Sequence, residues 1–468
     1  MSDFDDLTDP RREPTILRGP GGRVIGARHG RRHRGFRPAR LLVGVAMLAG
    51  ISVVTAGSLT AYAAYDLGHR IAQNAVDVGG AGGQSTDGAF NVLAVAADND
   101  PGQGTEYGVR QATLNDANVL LHVSADHTQA VAISFPRDLL VDQPACTSHG
   151  TTTAAVQDTP LNEAYGRGGL GCVVRTVEQV SGLRIPYAAQ MSFDGIIGLS
   201  DAIGGVPVCV TDDVDDPYTG LRLRAGEHTV SGATALAFLR DRHGIGDQSD
   251  LSRISSLQQF LSSLVRKVKG NGTLGDPAKL YGLARVASHT VKLSTTLTDP
   301  STMVAMARTF QGIGLDRITF VQYPGATDDP DHPGKVVPDS TTARQLMAAV
   351  RSDRSFSLAA GSVGRGSESV SGGSSGSGGS SGLGVSSAAG GSSGASGGGS
   401  GGSGSAGSGG SGSGGSGSDA DSGSGSGSGS AGSGGAGHDG TSASARPETI
   451  SGVTGQTAQQ RTCAVAAE

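Results

Sequence analysis

The sequence predicts an α/β domain with a mixed central sheet and helices on both faces. Three observations lead to this prediction. Apolar runs of strand length, such as Phe90–Ala97, recur along the chain. They alternate with segments of helical periodicity, such as Phe193–Ile203. Such alternation is typical of a sheet layered between helices, and residues 90–354 are long enough to form one substantial domain.

The strands and helices can be assigned in chain order from their residue patterns. The predicted strands are Phe90–Ala97, Asn118–Val123, Gln129–Ser134, Val206–Val210 and Arg317–Val321. The short link Ser124–Thr128 predicts a hairpin between the second and third of them. The predicted helices are Val173–Val180, Phe193–Ile203, one beginning near Asp250, Thr298–Ile313 and Thr341–Ser352.

The N-terminal region is typical of a membrane anchor. Residues 1–40 contain ten arginines and predict a basic cytoplasmic tail. Leu41–Tyr62 is a run of 22 uncharged residues, long enough for one transmembrane helix. Arginines before the span place the N-terminus in the cytoplasm and the remaining chain outside the cell membrane. A cleaved signal peptide is the alternative, but its basic segment would be unusually long. Residues 63–89 are interpreted as a spacer.

The C-terminal part of the sequence is dominated by glycine and serine. Residues 355–446 contain too little apolar surface to offset the chain entropy lost on folding, so a disordered linker is expected there. The last segment, 447–468, is expected to be either a minor docking element or a tail without a role. The Gly-x-Ser-x-Gly strings in the linker follow from its composition and do not indicate a hydrolase nucleophile.

Four cysteines follow the predicted span. Because the exterior is oxidising, we expect a disulfide between Cys146 and Cys172. Cys209 lies in an apolar strand, where a buried thiol is an equal alternative, and Cys463 lies in the tail. No Cys-x-x-Cys pair occurs, so a zinc site has no support.

Arginines cluster around one predicted loop. Arg240 and Arg242 follow an apolar run, and they share a face only if the chain is extended between them. Arg253 lies in the first turn of the next predicted helix, where free N–H groups also favour an anion. The guanidinium group matches phosphate oxygens in pairs, which points to a phosphate site. A solvated cluster at a helix end is the structural alternative.

Acidic residues lie where three predicted strands begin or end. Asp98 ends the first strand, Asp116 opens the second, and Asp138 closes the third, directly after Arg137. If these ends meet, the carboxylates face several arginines, and carboxylates beside a phosphate usually hold Mg²⁺. Residues 166–171 match Gly-x-Gly-x-x-Gly but lack the preceding strand of a dinucleotide site. Of the histidines, only His243 adjoins the arginine loop.

The order of these segments resembles the LytR-CpsA-Psr family of membrane-anchored cell-envelope phosphotransferases. The resemblance covers about Phe90 to Ser352. The segments that carry it are Phe90–Asp98, Asn115–Asp116, Ile133–Asp138, Leu161–Tyr165 with Gly168–Gly169, Asp201–Val206, Ala225–Gly226, Gly232–Arg242 and Asp250–Phe260.

The resemblance implies an α/β/α sandwich with a hydrophobic groove for a polyprenyl chain. It also implies transfer of a phosphoglycan from a polyprenyl diphosphate to a peptidoglycan hydroxyl. By position, Asp98 and Asp116 would bind Mg²⁺, with Mn²⁺ as an alternative. Asp116, Arg137 and Arg253 would be catalytic. The residues that would bind the diphosphate are Arg137, Arg240, Arg242 and Arg253.

The chain departs from the family pattern at the end of the first strand, where residues 96–100 replace a Gly-Ser-Asp-x-Arg motif, and at three single positions. Leu114 replaces an arginine, Pro160 replaces a basic residue, and Leu257 replaces a glutamine. Two alternatives remain open: hydrolysis of a polyprenyl diphosphate, with water in place of the sugar hydroxyl, or lipid and glycan binding without turnover, to which these departures point. Transcriptional regulation is a third, but membrane topology explains the basic N-terminus better than nucleic-acid binding does.

Overall fold

The computed structural model describes Tyr62 and residues 65–79, 85–98, 113–148, 150–270, 277–370 and 447–467. The chain divides into two units, Met1–Arg70 and Ile71–Glu468. In the first, residues 65–70 are helical, and Arg70 pairs with Asp66 at 2.8 Å. Apart from Tyr62, the run Leu41–Tyr62 lies outside the described residues. None of the described helices combines the length and apolar character needed to cross a bilayer.

The second unit contains a seven-stranded mixed sheet. In spatial order its strands are β13 (Val291–Leu293), β8 (Tyr187–Met191), β1 (Phe90–Ala97), β2 (Asn115–Val123), β3 (Ala130–Phe135), β14 (Ile318–Gln322) and β20 (Gly455–Thr457). Strand β1 is parallel to β8, and β3 is parallel to β14, whereas the other neighbours are antiparallel. The mixed sheet and the β2–β3 hairpin are therefore as predicted.

The helices are, in chain order, α1 (Ala164–Ser181), α2 (Phe193–Ala202), α3 (Gly232–Arg240), α4 (Asp250–Gly270), α5 (Pro277–Thr290), α6 (Pro300–Gly312) and α7 (Ser340–Arg351). Short 3₁₀ turns cover Leu161–Glu163, Thr295–Leu297 and Leu315–Arg317. The smaller strands are β4 (Leu140–Gln143), β5 (Cys146–Ser148), β6 (Thr151–Thr153), β7 (Val156–Pro160), β9 (Val206–Val210), β10 (Val214–Asp216), β11 (Leu221–Leu223), β12 (Gly226–Val230), β15 (Gly325–Ala326), β16 (Val337–Pro338), β17 (Phe356–Leu358), β18 (Ser367–Ser369), β19 (Glu448–Ile450) and β21 (Thr462–Ala464).

Helices cover both faces of the main sheet, because successive strand residues point to opposite sides. Leu93 of β1 belongs to a core that also contains residues of α1 and α7. Phe90 and Val92 belong to the opposite core, together with residues of α4 and α6. This arrangement is the predicted α/β layering.

The folded unit is larger than the predicted domain at both ends. Val78, in the predicted spacer, is buried in the core of α1, and Val76 bonds to Leu293. Strands β17 and β18 lie within the residues assigned to the linker, so the boundary after Arg354 is wrong. Residues 355–370 have too few apolar positions to predict a domain, but their strands pair with strands of the folded unit.

The C-terminal segment is an integral part of this fold. Strand β20 forms an edge of the main sheet, and β21 lies between β9 and β18 in a four-stranded sheet of order β12-β9-β21-β18. Ile450, Val453 and Ala464 are buried. The alternative of a tail without a role is therefore excluded for the described residues 447–467.

All four cysteines are in disulfides. Cys146 is joined to Cys172, across 26 residues, and Cys209 is joined to Cys463, across 254 residues. The second bond answers the question left open for Cys209, since it links β9 to β21. It thereby ties the C-terminal segment to the four-stranded sheet.

Replacing Cys209 and Cys463 with serine together is expected to lower the free energy of unfolding by about 2–5 kcal/mol, because the bond restricts the unfolded chain. Urea unfolding of the double variant and the unsubstituted chain measures this difference. Mass spectrometry of non-reduced peptides should find the two cysteines joined. Free thiols at both positions in protein from the cell exterior would contradict the prediction.

Candidate functional site

A cavity of about 260 Å³ opens at one end of the central strands of the main sheet, where β1 and β3 end and β2 begins. Five predicted site residues line it together: Asp116, Arg137, Arg240, Arg242 and Arg253. The remaining lining residues are Ala96, Ala117, Phe193, Ile196, Tyr218, Thr219, Leu239, His243 and Leu257. The cavity thus combines a cationic wall with an apolar one.

The sheet register explains why these residues meet. Ala97 at the end of β1 pairs with Asn115 at the start of β2, and Asn118 of β2 pairs with Phe135 at the end of β3. Antiparallel pairing therefore brings Asp116 and Arg137 to the same end of the central strands. The Arg137 Nη1 donates to Asp116 Oδ1 at 2.6 Å.

Arg240 and Arg242 reach the cavity from the end of α3. Arg240 is the last helical residue, and Asp241 leaves the helix in an extended conformation, with φ −61° and ψ 128°. This is the extended geometry that a shared face required. The Arg240 guanidinium lies over the Phe193 ring, 4.7 Å from its centroid.

Asp250 is a buried counter-charge for three of the arginines. Its Oδ1 accepts from Arg253 Nε at 2.9 Å, from Arg253 Nη2 at 2.7 Å and from Arg242 Nη2 at 3.4 Å. Its Oδ2 accepts the Arg137 backbone N–H at 3.2 Å. Although burial opposes ionisation, these arginines hold the pKa of Asp250 below its ordinary value. The carboxylate stays charged and organises the cluster.

Arg137 and Arg242 differ in how their charges are balanced. Burial disfavours charge on both side chains, but Asp116, Asp138 and Asp250 together raise the pKa of Arg137. Burial lowers the pKa of Arg242, and although Asp250 and Asp138 oppose this, the neighbouring guanidinium groups of Arg137 and Arg253 add to the lowering. The carboxylates thus compensate the charge of Arg242 less completely than that of Arg137.

Arg253 is held by the protein itself. Its side chain is 8% exposed, and Nη2 donates to the Asp116 backbone carbonyl at 2.7 Å. The backbone N–H of Arg253 donates to the Ser249 carbonyl at 3.4 Å. It is therefore not the free donor for an anion that its position at the helix start predicts. The geometry makes Arg253 a link between Asp250 and the Asp116 segment.

Asp98 lies at the same sheet corner but is not among the residues that line the cavity. It is buried, and its Oδ1 accepts the Leu114 N–H at 2.7 Å. Carboxylate oxygens are suitable donors for Mg²⁺, which often takes one or two carboxylates together with substrate phosphates. Among the described residues, no three His, Cys, Asp or Glu side chains form a metal-binding group. Asp98 and Asp116 would thus need diphosphate oxygens to complete a shell.

The other sequence signals have structural explanations. The Gly-x-Gly-x-x-Gly match lies inside α1, where Gly168 and Gly169 interrupt the helical geometry. Leu257 lines the cavity and packs with the apolar core of α3 and α4, so its side chain extends the apolar wall. His243 also lines the cavity, with its ring 4.2 Å from Tyr218.

Sequence reasoning missed the acidic partners of the arginines. Asp138 contacts Arg137 Nε at 3.3 Å and Arg242 Nη2 at 3.6 Å, but it was noted only at the end of a strand. Asp250 was noted only as a helix start. Its spacing of three residues from Arg253 was the available signal for an ion pair.

A second buried acidic pair, Asp216 and Asp241, lies beside the arginine loop. Both side chains are fully buried, and the two carboxyl groups interact with each other. Burial raises the pKa of Asp241 to about 7. Burial also acts on Asp216, but hydrogen bonds from Thr219 and the Tyr218 N–H lower its pKa. Of the two residues, Asp241 is therefore the one that carries a proton as the pH falls below about 7.

Replacing Asp241 with asparagine is expected to change how stability depends on pH. Between pH 4 and 7 the folded wild-type chain retains a proton that the unfolded chain has released, so its free energy of unfolding falls as pH rises. Asparagine does not titrate. Relative to Asp241→Asn, the wild type should lose about 2–4 kcal/mol over this range. Urea unfolding across pH checks this, with Asp215→Asn as an exposed control. Parallel pH profiles for wild type and Asp241→Asn would contradict the expectation.

Comparison with known proteins identifies the family. The model of the LytR_cpsA_psr family matches residues 55–350, more than half of the chain. The chain belongs to the LytR-CpsA-Psr family. The match ends before the C-terminal segment that contributes β20 and β21.

Relatives in this family include proteins named for roles in the cell wall. The cell wall biosynthesis protein LcpA of Corynebacterium glutamicum is 27% identical over 278 residues, which cover 53% of this chain and 52% of LcpA. The polyisoprenyl-teichoic acid–peptidoglycan teichoic acid transferase TagT of Bacillus subtilis is 29% identical over 240 residues, covering 48% of this chain and 69% of TagT. The chain thus spans about half of LcpA. Among solved structures, the crystal structure of B. subtilis TagV matches with a TM-score of 0.46 and 22% sequence identity. The match covers 57% of this chain and 98% of the TagV chain.

Proposed function

We propose that this protein transfers a phosphate-linked glycan from a polyprenyl diphosphate to a hydroxyl of peptidoglycan during cell wall assembly. The observation that carries the proposal is the cavity that places Arg137, Arg240, Arg242 and Arg253 beside an apolar wall. A ligand that suits both walls has a diphosphate and a lipid chain. The name of TagT, a transferase acting on polyisoprenyl-teichoic acid and peptidoglycan, supports the same chemistry.

The arginines would bind the diphosphate and stabilise its charge during transfer. Arg240 and Arg242 enter the cavity from one side, and Arg137 enters from the sheet edge. The apolar wall, formed by Phe193, Ile196, Leu239 and Leu257, would receive the first part of the polyprenyl chain. Ion pairs with Asp250 and Asp138 position Arg137, Arg242 and Arg253 before substrate binds, so the geometry of these three cations is set in advance.

Asp116 would act as the base for the acceptor hydroxyl. Arg137 orients its carboxylate, and Arg253 holds its backbone carbonyl. The acceptor oxygen would attack the phosphorus that carries the glycan, and the bond from that phosphorus to the bridging oxygen would break. The hydroxyl proton would pass to Asp116, and polyprenyl monophosphate would leave with the bond electrons.

A divalent cation would join this site. We propose that Asp98 and Asp116 contribute carboxylate oxygens to Mg²⁺, or to Mn²⁺ in its place. When bound, the ion would neutralise part of the diphosphate charge. The two carboxylates lie at one corner of the sheet, on either side of the bonded pair Ala97 and Asn115.

The site would face the cell exterior, with the chain anchored by Leu41–Tyr62. The two disulfides support an oxidising compartment. A membrane location also fits a substrate whose polyprenyl chain resides in the bilayer.

The testing experiment offers the purified protein a labelled polyprenyl diphosphate glycan, with and without peptidoglycan, in Mg²⁺ and in EDTA. Label appearing on peptidoglycan in the Mg²⁺ samples is the expected result. Release of labelled glycan phosphate into water, equally with and without peptidoglycan, would show a hydrolase instead. Retention of intact substrate without turnover would show a binding protein.

A further inference from the structure

One cavity residue is unlike the rest. Tyr218 lines the arginine cavity, yet 78% of its surface is exposed to solvent. A large aromatic side chain left this open contributes little to folding, because its apolar surface remains in water. It lies at the cavity mouth beside two polar residues of the same lining, Thr219 and His243. The mouth therefore differs in chemistry from both the cationic and the apolar wall.

The Tyr218 segment is held firmly despite this exposure. The buried carboxylate of Asp216 accepts the Tyr218 N–H at 2.8 Å and the Thr219 hydroxyl at 2.8 Å. The His243 ring lies against the Tyr218 ring, with 4.2 Å between centroids and 38° between planes. The aromatic face is thus preorganised, which lowers the entropy lost when a ligand binds to it.

The same anchor connects Tyr218 to the arginines. The buried carboxyl groups of Asp216 and Asp241 interact, and Asp241 lies between Arg240 and Arg242 in the chain. His243, whose ring lies 4.2 Å from that of Tyr218, directly follows Arg242. The distance of the Tyr218 segment from the arginine pair is therefore fixed by buried groups. Tyr218 and the arginines line the same cavity of about 260 Å³, so a group bonded directly to an arginine-bound diphosphate would lie within that cavity.

We infer that Tyr218, supported by His243, forms a binding platform for the sugar ring next to the diphosphate. This inference rests on the proposed function and names the part of the substrate that the mouth recognises. Sugar rings carry C–H groups on one face and hydroxyls at their edges. An aromatic ring with a polar tip suits the first, and Thr219 and His243 supply hydrogen-bonding groups for the second. The lipid chain has the separate apolar wall of Phe193, Ile196, Leu239 and Leu257.

Two ligands test the inference: farnesyl diphosphate, and the same diphosphate carrying one N-acetylglucosamine. Calorimetry measures the binding of each to the folded protein. Tyr218→Ala is expected to weaken binding of the sugar-bearing ligand roughly 3–10-fold, the scale of one aromatic contact. Binding of farnesyl diphosphate should change less than about twofold. Tyr218→Phe should retain the wild-type preference, since it keeps the ring.

The outcomes separate this inference from the function on which it rests. Equal weakening of both ligands by Tyr218→Ala, or no weakening of either, would overturn the platform. In that case wild-type binding of both ligands, weakened by Arg240→Ala, would leave the proposed function standing. Failure of the wild-type protein to bind either ligand would overturn both.

Discussion

Replacing Arg240 with alanine is expected to lower the rate of glycan transfer by about one to two orders of magnitude. The change removes one charge-assisted contact to the diphosphate, worth roughly 1.5–3 kcal/mol, and about 1.4 kcal/mol corresponds to a tenfold change in rate. Lysine should restore activity only in part, because it keeps the charge and loses the planar fork. Initial rates with labelled polyprenyl diphosphate glycan and peptidoglycan measure the effect.

The fold should tolerate this change. Arg240 is half-buried at the end of α3, and its cation–π contact with Phe193 is worth about 0.5–1 kcal/mol. The melting temperature should therefore fall little. Arg222→Ala is the matched control, since that side chain is 80% exposed on β11 and does not line the cavity. Normal transfer by Arg240→Ala combined with a large loss of stability would identify the arginine as structural and remove the main support for a phosphate site.

Replacing Asp250 with asparagine is expected to have the largest effect on stability, a loss of about 3–5 kcal/mol in the free energy of unfolding. Asparagine keeps the shape but removes the one carboxylate that Arg137, Arg242 and Arg253 share, leaving Asp116 and Asp138 as the remaining counter-charges. Three guanidinium groups would then share a buried region and repel one another. Urea unfolding at pH 7 measures the loss, and Asp215→Asn, which removes an exposed carboxylate, should change stability by less than about 1 kcal/mol.

The pH dependence gives this prediction a second measurement. The pKa of Asp250 is lowered in the folded chain, so its contribution to stability is present above the pKa of an unfolded aspartate, about 3.9. That contribution is lost as pH falls through the lower, folded pKa. The difference in stability between wild type and Asp250→Asn should therefore shrink below pH 4. A constant difference down to pH 2 would show that charge is not the cause.

The candidate site was predictable to the extent that single residues reveal chemistry. Arginines close to carboxylates in such a pattern point to a phosphate site, so Arg240, Arg242 and Arg137 could be selected before any contact was known. Their partners could not. Asp138 follows Arg137 directly in the chain, whereas Asp250 lies 113 residues beyond Arg137 and approaches it only because β3 ends beside the start of α4. A single sequence does not encode that proximity in any local pattern.

The secondary structure likewise contains elements that a local pattern predicts and elements that form only through tertiary pairing. Apolar periodicity located Phe90–Ala97 and the helix beginning at Asp250, because those segments bury a face of their own. Strand β20 has three residues, Gly455–Thr457, and no period that a local reading could detect. It is a strand because β14 offers an open edge whose backbone groups it can pair with.

The sequence by itself determined which residue types carry chemistry and where the long buried elements lie, since both depend on side chains or spacing within one segment. It also contained the four cysteines but left two of them unassigned. The tertiary structure decided which distant groups meet: Cys209 with Cys463, Asp216 with Asp241, and Asp250 with three arginines. These pairings depend on strand register and on how segments far apart in sequence pack together. They determine whether an arginine is buried with a carboxylate partner or available to a ligand.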